Sequence, residues 1–238
     1  MIHAQKVGLQ IEGKTILEDV SFSVKKGEYV GLIGPNGAGK TSLIKLLLGF
    51  WQPSSGDLQL EAEVKIGYVP QSYTLSSVVP ISVAEVLKMS QATNKEWLVT
   101  NLEKVGLDET LLKKNFHTLS GGQKQRVIIA RALCSQPNLI IFDEPLNGVD
   151  YETKLKIYDI LAHLNKEEGV TILFVSHEVD HIIDKCHHIL CLNKTMHTGC
   201  HPLDFAKGEV DQCPVLTTTP QVVPVHHHHD SKKSSCSC

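Results

Sequence analysis

The sequence predicts an α/β domain with a mostly parallel sheet core, an antiparallel β subdomain at its start and a helical subdomain inserted in its middle. Three observations carry that class. Leu139-Ile-Ile-Phe142 and Thr171-Ile-Leu-Phe-Val175 are continuous apolar runs rich in β-branched residues, as strands covered on both faces are. Glu28 to Ile33 is a third short apolar run, and it leads through a glycine-rich loop into a helical segment, Lys40 to Leu48, stopped by Gly49. From residue 82 to 136 the texture turns helical.

In chain order, Val7, Leu9 and Ile11 point one way and Phe22 and Val24 repeat the alternation, as half-buried antiparallel strands do. Ser82 with Glu85 makes a capping box ahead of Val86 and Leu87. Asn94 caps a helix that carries Leu98, Leu102 and Val105 and ends at Gly106. A further helix follows Ser120, with Val127, Ala130 and Leu133 on its apolar face, and ends before Pro137. From about residue 208 the chain turns to Pro214, Pro220, Pro224, the run His226 to His229 and a Ser/Lys/Cys end, the composition of a tail without packing. The expected division is a folded domain over 1–207, its helical part over about 82–136, and a flexible His/Cys-containing tail over 208–238.

The 238 residues are 42% hydrophobic and 21% charged, a globular mixture able to bury its core without disulfides or metal. Lys plus Arg number 23 against 26 Asp plus Glu, so no global basic field draws the chain to nucleic acid. Apolar runs such as Leu139 to Phe142 are four residues long, against the roughly 20 that cross a bilayer, so no span is expected. The start, Met1 to Lys6, has no apolar h-region, which argues for a cytosolic protein. Seven cysteines without framework spacing then read as reduced thiols.

Gly34, Pro35, Asn36, Gly37, Ala38, Gly39, Lys40 and Thr41 fit G-x-x-x-x-G-K-[ST], between a strand and a helix as that pattern requires. The glycines let successive N–H groups converge, and the helix dipole adds positive charge there, so the loop is a phosphate cradle that extends to Ser42. Lys40 reaches the β- and γ-phosphates and the Thr41 hydroxyl ligates Mg²⁺ in such a loop. Asp143 and Glu144 emerge at the C-terminal end of the strand Leu139 to Phe142, where open α/β sheets bind ligands. One of the pair suits the metal and its neighbour suits polarising the attacking water. Ser120, Gly121, Gly122 and Gln123 form a second anion-seeking helix N-terminus. Two such ends in one chain suggest that the second serves a nucleotide held by another copy, although spacing alone leaves an intrachain arrangement open.

Taken together, Gly34 to Thr41, Gln71 in Tyr-Val-Pro-Gln, Leu119 to Gln123, Leu139 to Pro145, Asn147 to Asp150 and His177 in Val-Ser-His-Glu resemble the ATP-binding cassette of ABC transporters over roughly residues 2 to 207. The resemblance implies a P-loop NTPase fold and an ATPase that powers a separate membrane permease, with ATP and Mg²⁺ as cofactors. By the same resemblance Lys40 and Thr41 are Walker A ligands. Gln71 touches Mg²⁺ and the permease, and Ser120 to Gln123 are the signature. Asp143 is the Walker B metal residue, Glu144 the catalytic base, Asp150 the D-loop contact and His177 the γ-phosphate sensor. Two cassettes of the family close head to tail, so each ATP lies between one copy's Walker A loop and the other's signature. The implied location is the cytoplasmic face of the inner membrane, as a peripheral subunit.

One departure concerns adenine. Just before Gly13, where cassettes commonly place a stacking aromatic, this chain has Ile11, so only modest discrimination between ATP and GTP is expected. The substrate reading rests on a short likeness of Ile189 to Lys194, His197 and Gly199 to zinc and manganese importer cassettes. Ten of 13 histidines lie at or after residue 177 and six of seven cysteines at or after 186. His187, His188, Cys191, His197, Cys200 and His201 gather around a hairpin, with no C-x₂-C pair and with Cys191 read as a buried strand residue. Uptake of Zn²⁺ or Mn²⁺, with an extracytoplasmic metal-binding protein as a further partner and a loosely metal-binding tail, is the expectation. A P-loop kinase would lack Leu119 to Gln123. A soluble regulatory or scaffolding cassette, or a cassette for a non-metal substrate, is the alternative reading.

Overall fold

The computed structural model describes residues 1–73, 80–92, 94–146, 149–176 and 185–200, and for Gly199 and Cys200 the backbone alone. Two sheets organise these residues. The first is antiparallel, ordered β2-β1-β4 from β1 (Ile2–Ile11), β2 (Lys14–Val24) and β4 (Ser55–Leu60). Its alternation is interrupted, and the β1–β2 ladder shifts register at three places. Gln5 and Lys6 are both exposed, Lys6 lies at φ 50°, and the ladder shifts register there, so that Val7 and Leu9 return to the buried side. Glu12 and Gly13, at φ 49° and 76°, make the tight primed turn that joins β1 to β2.

The second sheet has the order β5-β6-β7-β3-β8-β9, from β3 (Tyr29–Ile33), β5 (Ile66–Val69), β6 (Leu139–Asp143), β7 (Thr171–Ser176), β8 (His188–Asn193) and β9 (Thr195–Cys200). Every pairing in it is parallel except the β8–β9 hairpin. The apolar runs are therefore strands of a parallel sheet, as their composition requires. β3 starts one residue later than the apolar run because Glu28 closes a turn, its N–H donating to the Lys25 carbonyl.

Alternate residues of this sheet feed two cores. Val30, Leu32, Ile141, Leu173 and Val175 pack with Leu43, Leu46 and Leu47 of helix α1 (Lys40–Leu47) and with the antiparallel sheet. Ile140, Phe142, Ile172 and Phe174 pack on the other face, with Phe142 and Phe174 stacked 5.7 Å apart. That face is covered by α4 (Gly121–Leu133) and α5 (Tyr151–Glu168). Truncating one of these fully buried strand residues to Ala costs about 2–5 kcal/mol.

Between β5 and β6 lie α2 (Val83–Lys88), α3 (Lys95–Lys104), two 3₁₀ turns and α4. Ser82 and Glu85 form the expected capping box, and Asn94 accepts from the Glu96 and Trp97 N–H groups. Gly106 takes φ 67° just past α3, the left-handed stop that its position predicts. No described helix is long and apolar enough to cross a membrane.

Candidate nucleotide-binding site

The loop from Gly34 to Gly39 leaves the C-terminal end of β3 and is held from two sides. A Cβ on Gly34 would overlap the Leu192 carbonyl oxygen, and one on Gly39, at φ 100°, would stand 2.6 Å from Leu17 Cδ2. The Lys194 N–H donates to the Ala38 carbonyl at 3.0 Å, and the Lys194 carbonyl accepts from the Glu18 N–H at 2.9 Å. The β8–β9 turn thus braces the loop against β2. No side chain caps α1, whose N-cap is Gly39, while Asn36, Gly37 and Thr41 are exposed. An uncapped helix N-terminus behind a glycine loop is the donor set an anion needs, so the cradle fits a nucleotide's phosphates.

Lys40 is 6% exposed and curls over its own loop. Its Nζ donates to the Gly34 carbonyl at 2.7 Å and to the Pro35 carbonyl at 3.2 Å, and stands 3.2 Å from Glu144 Oε1. The Gln71 amide donates to the other Glu144 oxygen at 3.2 Å. Asp143, 4% exposed at the end of β6, accepts a hydrogen bond from the Tyr68 hydroxyl at 3.2 Å. Burial pushes the Asp143 carboxyl up, with the neighbouring Glu144 charge adding to that rise, while the Tyr68 bond and then Lys40 oppose it. Burial and the Asp143 charge also push the Tyr68 phenol up to about 12. A buried carboxylate in this condition is a fit place for a divalent cation, and its oxygen chemistry suits Mg²⁺.

Thus Lys40, Gln71, Asp143 and Glu144 are brought together at one end of the parallel sheet, as the motif order predicts. Ser120 belongs to another element. It is the N-cap of α4, its hydroxyl accepting the Gln123 N–H and its own N–H donating to Gln123 Oε1, each at 3.2 Å. Gly122 is where α4 meets α5: a Cβ there would lie 2.6 Å from Thr153 Cγ2. Asp150 caps α5 by accepting the Thr153 N–H at 2.9 Å, a bond that lowers its pKa. Ile11 is half-buried at the end of β1, against the core that also holds Leu17.

His177, Asn147 and Gly148 lie outside the described residues, as do His201 and the tail. The expected hairpin is β8–β9, and Cys191 is fully buried on β8. His187 is engaged by the fold, its Nδ1 accepting the Tyr29 N–H at 2.9 Å, while His188 Nδ1 stands 3.9 Å from Glu28 Oε2. Among the described residues no three His, Cys, Asp or Glu side chains are placed to hold a metal ion together. Sequence reasoning missed Tyr68 as a partner of Asp143 and Thr153 as the neighbour that requires Gly122. Strand register is the signal that reveals the first, and only tertiary packing reveals the second.

The family model of the ABC transporter matches residues 17–147, from β2 through the phosphate loop, the signature and the carboxylate pair. The zinc import ATP-binding protein ZnuC of Yersinia pestis bv. Antiqua is 37% identical over 194 residues, 82% of this chain and 76% of that protein. The protein of the same name from Vibrio vulnificus is 34% identical over 207 residues, 87% of this chain and 79% of its own length. The dimeric structure of a bacterial ABC transporter cassette superposes with a TM-score of 0.70 at 27% identity, covering 83% of this chain and 98% of that one. The phosphate loop and the Asp-Glu pair therefore stand in a chain whose family is settled by its motifs, its relatives and its architecture alike: it belongs to the ABC transporters, as an ATP-binding cassette of that family.

Proposed function

We propose that this cassette is the ATP-hydrolysing subunit of an importer for a divalent transition metal, zinc or manganese, with zinc favoured by the names of its relatives. The observation that carries the hydrolytic part is the convergence of Lys40 and Gln71 on Glu144, next in the chain to the buried Asp143. The chain would work as a head-to-tail pair at the cytoplasmic face of the membrane, docked on a permease, with an extracytoplasmic metal-binding protein delivering the cargo. Residues 1–207 form the ATP-binding domain, about 82–136 its helical subdomain, and 208–238 a tail whose histidines and cysteines bind metal loosely.

The nucleotide's β- and γ-phosphates enter the cradle between the amides of Gly34 to Ser42 and Lys40. Lys40 Nζ, seated on the Gly34 and Pro35 carbonyls beside Glu144, exchanges its contact with Glu144 for the phosphate oxygens. Glu144 accepts a proton from the attacking water, with the Gln71 amide holding its second oxygen. Thr41, Gln71 and Asp143 would hold Mg²⁺, which neutralises charge on the β- and γ-oxygens. Ser120 and the amides of Gly121 to Gln123 approach the γ-phosphate of the partner copy's nucleotide, Asp150 contacts the partner beside it, and His177 senses the γ-phosphate.

Purification of the intact complex tests the subunit's role, with ATPase activity measured against a panel of metals. Activity should rise with Zn²⁺ or Mn²⁺ cargo, and Glu144→Gln should retain ATP, accumulate as a dimer and lose turnover by orders of magnitude. A Glu144→Gln complex hydrolysing ATP at the normal rate would remove Glu144 from the base role.

A further inference from the structure

We propose that Tyr68 is a positioning residue for the metal site: its hydroxyl, donating to Asp143 Oδ2 at 3.2 Å, fixes which carboxylate oxygen faces the divalent cation that accompanies the nucleotide. The proposal rests on the reading of Asp143 as a metal residue given above. β5 and β6 run parallel with Tyr68 opposite Ile141, so Asp143, two residues further along β6, lies on the same face of the sheet as Tyr68. That face is the one against which α1 packs. The phenol crosses from one strand to the carboxylate at the end of the next.

The phenol is itself held. Its ring packs against the core that contains Ile141, Leu43 and Leu47. Gly67, the preceding residue, approaches Pro137 and the Ala132 carbonyl so closely that an added Cβ would lie 3.1 and 3.2 Å from them. The Arg131 guanidinium donates to the Tyr68 carbonyl at 3.4 Å, which ties the end of β5 to α4. Among the described residues the Tyr68 hydroxyl is the one side-chain hydrogen-bond donor to Asp143, Lys40 and Lys45 acting on it through charge alone. With Oδ2 engaged, Oδ1 is left to meet the cation, directly or through water. Three residues on, Gln71 bonds Glu144, so the end of β5 orients both members of the acidic pair. Partners of this kind set the geometry and basicity of a metal ligand, and losing one costs about 10–100-fold in metal affinity.

The test uses the full chain, a fluorescent ATP analogue and Mg²⁺ titration, with Tyr68→Phe keeping the ring and Asp143→Asn as the control. Tyr68→Phe should bind the analogue normally in EDTA and stay folded, melting only slightly below the wild type for the lost hydrogen bond, yet need about ten-fold more Mg²⁺ to reach half of the metal-dependent signal. Asp143→Asn should abolish that signal. An unchanged Mg²⁺ midpoint in Tyr68→Phe, with the signal lost in Asp143→Asn, overturns the role of Tyr68 and leaves Asp143 in place. Weakened binding of the analogue in EDTA overturns it as well, because a defect without metal is a packing defect. A wild-type titration in Asp143→Asn overturns both readings.

Discussion

Asp143 bears the conflict between folding and function most directly. Its carboxylate is 4% exposed, and burial raises its pKa, so ionisation is disfavoured in the folded chain. A raised carboxyl costs stability once it is ionised. Below the ordinary carboxylate range both states hold the proton and there is no penalty, and above the raised value the penalty is complete. Without metal or nucleotide, Asp143→Asn should therefore be more stable than the parent near neutral pH. The difference should shrink as pH falls from the raised value toward the ordinary carboxylate range. Denaturant melts across pH check this, and an equal difference at every pH would contradict it. Asp143 and Lys40 were legible because their pattern is local: eight contiguous residues make the loop, and the acidic pair directly ends an apolar run. Tyr68 was not, since its partner lies 75 residues away and only the β5–β6 register brings them together.

At the scale of elements, the helices declared their own starts. Ser82, Asn94 and Ser120 each cap as the sequence indicates, because a cap satisfies N–H groups within three residues. β4 and β5 carried no comparable signal. They are six and four residues long, and β5 exists because β6 offers it a parallel edge. The same distinction governs Gly122. The signature predicted a helix end there, whereas the glycine is required by Thr153 on α5, which a Cβ would strike at 2.6 Å. Gly122→Ala should cost about 1–3 kcal/mol through that overlap, despite alanine's better helix propensity. In a Thr153→Ala background the same change should be neutral or stabilising. A double-mutant cycle by urea unfolding measures the coupling, and additive effects would show that α4 and α5 do not meet as described.

For the whole molecule, the sheet order places β3 between β7 and β8, so the phosphate loop leaves the middle of the sheet, with the acidic pair at the end of β6, on the far side of β7. The parallel core was legible because strands buried on both faces must read as apolar runs. The division of labour between copies was only suggested, by the presence of two anion-seeking helix ends in one chain. Its most direct measurement mixes two inactive variants, Lys40→Ala and Ser120→Glu. In a head-to-tail pair the second chain's intact loop faces the first chain's intact Ser120, which rebuilds one good site of two. The mixture should recover about a quarter of the wild-type ATPase rate, since random pairing makes half of the dimers mixed. A mixture as inactive as its separate components would contradict the shared site.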